Sequence, residues 1–221
     1  MPRSTLEARL SETEEDVLVL GGMVERAITR SIDALRNRDV ELARVVIVED
    51  TEINRKRYDT EERCLELLAT QAPMAKDLRQ IVAILHIIVD LERMADHAEG
   101  IAKIAIMLSD EPPLKPYIDI PRMADVAVRM LRESLEAFKQ RDVELARKIC
   151  DEDDEVDELY DLVYRELIEY MIKDPSTIER ATHITWIAHN LERIADRVTN
   201  ICERVVYLVQ GKIEEMNVSK Y

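Results

Sequence analysis

The chain is poor in the residues that interrupt regular structure. Among its 221 residues are only four glycines and seven prolines. That is too few for the many tight turns of a sheet protein, and with Leu, Ile, Ala, Glu and Arg abundant it favours long helices. Cysteine is scarce and odd in number. Cys64, Cys150 and Cys202 show no CxxC spacing, which excludes a disulfide framework and gives no sign of a structural zinc site. They read as small buried hydrophobes of a reducing cytosol. Positive charge is short too: 31 Lys and Arg against 46 Asp and Glu leave a net charge of −15. This is the wrong sign for a nucleic-acid partner and the right one for cations and basic protein surfaces. Long apolar runs are missing. Met1-Pro2-Arg3-Ser4 lacks the apolar stretch of a signal peptide. The most apolar run, Ile81 to Val89, contains His86 and falls far short of the ~20 residues of a membrane span. A soluble cytoplasmic protein is expected, peripheral to a membrane only through its partners.

What is present is a duplication. Leu91-Glu92-Arg93-Met94-Ala95-Asp96 recurs as Leu191-Glu192-Arg193-Ile194-Ala195-Asp196, 100 positions later. Arg38-Asp39-Val40-Glu41-Leu42-Ala43-Arg44 recurs as Arg141-Asp142-Val143-Glu144-Leu145-Ala146-Arg147 at an offset of 103. Internal repeats outrank local assignments, and the falling offset makes one turn of the second copy three residues shorter.

The helices follow from caps and breakers. Ser4 with Glu7 forms a capping-box pattern opening a first helix that runs to about Leu35, with Gly21-Gly22 expected to weaken or bend it. Asp39 caps a second helix reaching about Thr70, where Ala72-Pro73 breaks the run. A third, about Met74 to Leu108, is apolar on almost every side and is expected between other helices. Ser109 to Pro116 is Pro-rich and reads as a linker. Helix four starts near Pro121 and ends near Phe138, Asp142 caps helix five, Asp174-Pro175 opens helix six, and Gly211 ends it. The expected fold is all-α: two tandem three-helix units over residues 1–108 and 119–221, joined by residues 109–118 and related by a pseudo-two-fold.

The repeats carry chemistry. Glu92 and Asp96 stand at i, i+4, on one face of a helix, as do Glu192 and Asp196. In the preceding helices Asp50 and Asn54 correspond to Asp153 and Asp157. The first pair is centred 21 residues before Pro73 and its partner 21 after it, and in the second copy each is centred 19.5 residues from the Asp174-Pro175 boundary. In antiparallel hairpins equal distances mean equal height. Asp50, Asn54, Glu92 and Asp96 therefore converge, as do Asp153, Asp157, Glu192 and Asp196. Such oxygen-rich sets suit a hard cation such as Mg²⁺, Ca²⁺, Mn²⁺ or iron. The alternative is that each pair faces solvent and forms ion pairs with Arg93 or Arg193. His189 and Glu99 share these faces as weaker candidates, and Met94, Met107, Met123, Met130 and Met171 read as core fillers.

Gln71-Ala72-Pro73-Met74-Ala75-Lys76-Asp77-Leu78-Arg79, followed by Asp90-Leu91-Glu92-Arg93-Met94-Ala95-Asp96 and by the second Leu-Glu-Arg-Ile-Ala-Asp stretch, resembles the PhoU proteins over essentially the whole chain. The resemblance implies two three-helix bundles and acidic motifs that hold metal clusters in some members. It also implies a non-enzymatic regulator linking the ATPase of a phosphate ABC transporter to a sensor histidine kinase, holding the phosphate-starvation response off when phosphate is plentiful. Exposed helix faces point to a homodimer. Two departures stand out: Asn54 where the pattern favours Asp, and Thr177-Ile178-Glu179 where the first copy has Asp77-Leu78-Arg79. A di-iron carboxylate enzyme needs Glu-x-x-His from two helices, and Ala83, Met94, Arg180 and Trp186 stand three before the four histidines. A plain acidic adaptor remains the other alternative.

Overall fold

The computed structural model describes residues 3–216, with side chains from Leu6 onward. The capping box expected at Ser4 lies outside the described side chains. Six helices follow in order: α1 (Arg3–Asn37), α2 (Val40–Gln71), α3 (Lys76–Met107), α4 (Asp119–Gln140), α5 (Val143–Lys173) and α6 (Ile178–Gln210), with a 3₁₀ turn at Pro175–Thr177. Helices α1, α2 and α3 pack on one another, as do α4, α5 and α6. The halves meet where α1 packs on α4 and α3 on α6. The result is two layers. A front layer runs α2, α3, α6, α5, and α1 with α4 lies behind it. Among the described residues α2 and α5 touch only helices of their own unit.

The capping residues read from the sequence end and start the helices. Asp39 accepts from the Leu42 N–H at 2.9 Å and Asp142 from that of Leu145 at 3.0 Å, each satisfying a donor with no partner inside the helix. The residues before them, Arg38 (φ 52°) and Arg141 (φ 60°), are left-handed. The Asp39 and Asp142 N–H groups return to Ala34 and Ala137 carbonyls at 2.9 and 3.0 Å, so both hairpins use one device twice. Asp174 caps the 3₁₀ turn by accepting from Ser176 N–H at 3.0 Å, and Gly211 (φ 74°) terminates α6. Helix ends differ from the expected ones by one to three residues. Pro121 falls in the first turn of α4, where no helical donor is missed.

Helix α1 runs continuously through Gly21 and Gly22. A Cβ on Gly21 would stand 2.1 Å from Leu135 Cδ1 of α4, so this glycine lets the back-layer helices approach closely. Met107 is 62% exposed rather than a core filler, because α3 ends there; Met94, Met123 and Met130 are fully buried and Met171 packs at the edge of the core. All three cysteines are buried and unbridged. Cys150 is hydrogen-bonded to Cys202, which together with burial pushes the Cys202 thiol well up.

Helix α3 is buried on three sides. Ile81, Ile84, Ile87, Ile88, Leu91 and Met94 have no exposed surface, and each such side chain contributes roughly 1.5–3 kcal/mol. Its contact with α6 also carries polar groups. Asp90 accepts from Arg197 at 3.2 Å and from Asn200 at 3.1 Å, and His97 Nδ1 lies 2.8 Å from Asn190 Oδ1. Asp90 and Asn190 are repeat equivalents, as are His97 and Arg197. The two contacts are thus one contact seen twice across an antiparallel crossing, whose centre falls beside Arg93 and Arg193. Burial raises the Asp90 pKa and lowers that of His97.

Candidate metal centres

Each acidic set lies in the groove between an outer and an inner helix of the front layer. In the first, α2 supplies Asp50 and Asn54 and α3 supplies Glu92 and Asp96. Asn54 Nδ2 donates to Asp50 Oδ2 at 2.7 Å. Asp50 Oδ1 is buried without a hydrogen-bond partner. Burial, followed by the charges of Asp96, Glu99 and Glu92, raises the Asp50 pKa to about 6 against the pull of Asn54. The charges of Glu92 and Asp96 on α3 therefore reach Asp50 on α2. They are joined by Glu99, which the sequence signalled only as a carboxylate three places after Asp96 and which pairs with Lys103 at 2.6 Å.

The second set is arranged alike and loaded differently. Asp153, from α5, is buried at 3% exposure, and Asp157 follows one turn later. Helix α6 supplies Glu192 and Asp196. Here Glu192 is pushed off its ordinary ionisation. Burial and Asp196 raise its pKa to about 7, with Asp157 and Asp153 adding to the rise and Arg193 opposing it. Its buried Oε2 has no aligned hydrogen bond. His189 Nδ1 stands 3.3 Å from that oxygen, close enough to be a neighbour but poorly directed for a hydrogen bond. The acidic run from Asp151 to Glu155 is otherwise exposed or half-buried, with Glu152 held by Arg129 and Lys148.

The charge is partly offset from inside each motif. Arg93 Nη1 lies 3.0 Å from Asp96 Oδ2 and its Nε 3.4 Å from Glu92 Oε2. Arg193 Nη1 lies 2.6 Å from Asp196 Oδ2. The ion pairs weighed from the sequence thus form. Among the described residues no three His, Cys, Asp or Glu side chains close on a common point. A charged carboxylate buried with an idle oxygen is expensive, and each groove holds such an oxygen, Asp50 Oδ1 and Glu192 Oε2; buried oxygens of Glu14 and Glu133 elsewhere also lack a hydrogen bond. A hard cation is the group such donors fit.

The same duplication is recognised at family level, where a model of the PhoU domain matches residues 17–105 and again 120–205. The chain belongs to the PhoU family. The phosphate-specific transport system accessory protein PhoU homologue of Aquifex aeolicus is 44% identical over 204 residues, 92% of each chain. Its Clostridium acetobutylicum counterpart is 35% identical over 98% of this chain and its own full length. Crystal structures of PhoU from Pseudomonas aeruginosa and of the phosphate transport system regulatory protein PhoU from Streptococcus pneumoniae superpose with TM-scores of 0.89 each. They are 36% and 33% identical and cover 93% and 95% of this chain and 99% of each of theirs. The PhoU fold expected from the sequence, all-α with two three-helix units, is the one observed. No helix among the described residues is long and apolar enough to cross a membrane.

Proposed function

We propose that the protein is a non-enzymatic accessory of phosphate uptake, working at the cytoplasmic side of a phosphate-specific transport system. The observation that carries this is family membership along the whole chain, with relatives named as accessory proteins of that system. The reading extends to a regulatory link: the chain docks on the transporter's ATPase and on a sensor histidine kinase and keeps starvation genes off when phosphate is plentiful. Its net charge of −15 suits basic docking patches and gives encounters that weaken with salt.

The acidic grooves serve that role by holding hard cations, iron, Mg²⁺, Mn²⁺ or Ca²⁺. The second would use Asp153, Asp157, Glu192 and Asp196, and the first Asp50, Asn54, Glu92 and Asp96 with Glu99 beside them. A bound cation would offset the carboxylate repulsion that raises Asp50 and Glu192 and so fix the spacing of α2 against α3 and of α5 against α6. Arg93 and Arg193, on the exposed side of each motif, hold Asp96 and Asp196 in the meantime.

The test is the Glu192→Gln, Asp196→Asn double variant, which keeps side-chain size and removes two charges. In cells carrying only this variant, with metal loss confirmed on purified protein, starvation genes are expected to be expressed at high phosphate, as they are without the protein. Full repression despite metal loss leaves the accessory role standing and removes the metal from it. Purified wild type without metal, repressing normally, returns the protein to the plain acidic adaptor.

A further inference from the structure

The two outer helices differ beyond the acidic sets. On α5, Tyr160, Tyr164, Ile168 and Ile172 stand at i, i+4, i+8 and i+12, running from the second acidic groove to the hairpin tip over ~18 Å at the helical rise. Tyr164 is 45% exposed, Ile168 36% and Ile172 76%. The rings of Tyr160 and Tyr164 stack with centroids 6.2 Å apart, and Tyr160 leans on His189 of α6 at 6.2 Å. The repeat-equivalent positions on α2 are Arg57, Glu61, Leu65 and Ala69, where Arg57 and Glu61 form an ion pair at 2.6 Å. The first unit places an ion pair at the groove end of this stripe, with exposed Leu65 and Ala69 beyond it, where the second is aromatic and aliphatic throughout. Among the described residues no helix other than α4, α6 and the 3₁₀ turn packs on α5, and the linker reaches it through the Lys115–Glu166 ion pair.

We propose that this stripe is a docking surface for a basic amphipathic helix of a partner protein, its apolar side chains lying along Tyr164, Ile168 and Ile172 and its Arg or Lys residues reaching past Tyr160 to the acidic groove. The proposal rests on the reading of the chain as a docking protein and names the surface and the chemistry of what it meets. Charge selects the occupant. Glu158 and Asp161 flank the Tyr160 end, Asp161 paired with Arg165 at 3.0 Å, and the charge of Glu192 reaches the Tyr160 hydroxyl, with Asp157 one turn before it. A second copy of this chain would bring its own net charge of −15 to the face, whereas a basic helix turns the same charges into attraction. Stacked, half-exposed tyrosines are the side chains that give large contact area at little loss of freedom.

The probe is a labelled 18-residue helical peptide with leucines at i, i+4, i+7 and i+11 and five Lys or Arg residues at one end, with an acidic peptide of the same apolar pattern as control. Binding is read by label anisotropy and by fluorescence of Trp186, the single tryptophan, which is half-exposed one turn from His189. The basic peptide is expected to bind and the acidic one not. Tyr164→Glu with Ile168→Glu, both exposed positions whose helicity is checked by circular dichroism, should weaken binding about tenfold or more, and Leu65→Glu in the first unit should leave it unchanged. Absence of binding, equal binding by the double variant or equal binding of the acidic peptide overturns the proposal. So does a wild-type dimer, seen by sedimentation equilibrium, that the double variant dissolves, since the stripe is then covered by a second copy. These readouts use no phosphate response, so they fail or succeed independently of the regulatory reading.

Discussion

The two acidic grooves are built on one backbone plan, yet Asp50 of the outer helix is pushed off its ordinary ionisation in the first and Glu192 of the inner helix in the second. Asp50 is shifted beside Asn54, and Glu192 among Asp153, Asp157 and Asp196. The difference shows that duplication fixes where side chains meet, while single residues decide which of them is displaced from its ordinary ionisation. Asn54 supplies a hydrogen bond to Asp50 where the second unit has a fourth charge, Asp157, which adds to the rise of Glu192.

The largest test of this comparison is pH. Glu192 titrates near 7 when folded and near 4.5 when unfolded. Between those values the folded chain holds a proton that the unfolded chain has released, so stability falls as pH rises through that window. In chelator, the loss between pH 4.5 and 7.5 is expected to be roughly 2–3 kcal/mol for this group. Glu192→Gln should remove that slope and make the metal-free protein more stable at pH 7.5, and Asp50→Asn should do the same in the lower window between about pH 4 and 6. Urea unfolding at several pH values reads both, and slopes indifferent to either substitution would break the comparison.

Next in size is the back-layer contact. Gly21→Ala must push Leu135 aside and is expected to cost about 1–3 kcal/mol. Gly22→Ala, whose nearest neighbour is the flexible Arg26 at 3.7 Å, should gain about 0.5–1 kcal/mol. Chemical denaturation of both settles whether closeness of α1 to α4, rather than helix weakness, explains the glycine. The equivalent of Gly21 in the second unit is Ala124, so the halves are not interchangeable here either.

These assignments show what was legible in the sequence. Offsets of 103 and 100, the two Arg-Asp hairpin caps and the level acidic pairs were readable because each depends on local spacing. The crossing of α3 on α6 was not. Asp90 and Asn190 open the repeated motif and look like two more surface polar residues, and only the tertiary contact makes them partners of Arg197 and His97. The close approach at Gly21 was hidden for a related reason, since a glycine that admits a neighbour and one that weakens a helix are identical in sequence. Glu99 was visible as a carboxylate on the right face, but its ion pair with Lys103 and its push on Asp50 are distances the sequence does not contain.

A smaller effect sharpens the charge comparison. Asn54→Asp gives the first groove the fourth carboxylate of the second and should tighten a divalent cation there by about tenfold. Calorimetric titration checks it, and unchanged affinity would mean that Glu99 already fills the place. The smallest effect should be equal in both halves. Asp39→Ala and Asp142→Ala each remove one cap and are expected to cost about 1 kcal/mol. Thermal unfolding that separates them widely would show the hairpins to be less alike than their geometry.

The antiparallel crossing of α3 and α6 sets both grooves at the same level on the front layer, two interhelical spacings apart, or ~16–20 Å. Turned by half a revolution about that crossing, the acidic pattern nearly falls on itself. A surface that reads only those charges could be met in two orientations and would not distinguish one end of the molecule from the other. The tyrosine and isoleucine stripe on α5, with charged Arg57 and Glu61 in its place on α2, is what gives the face a direction.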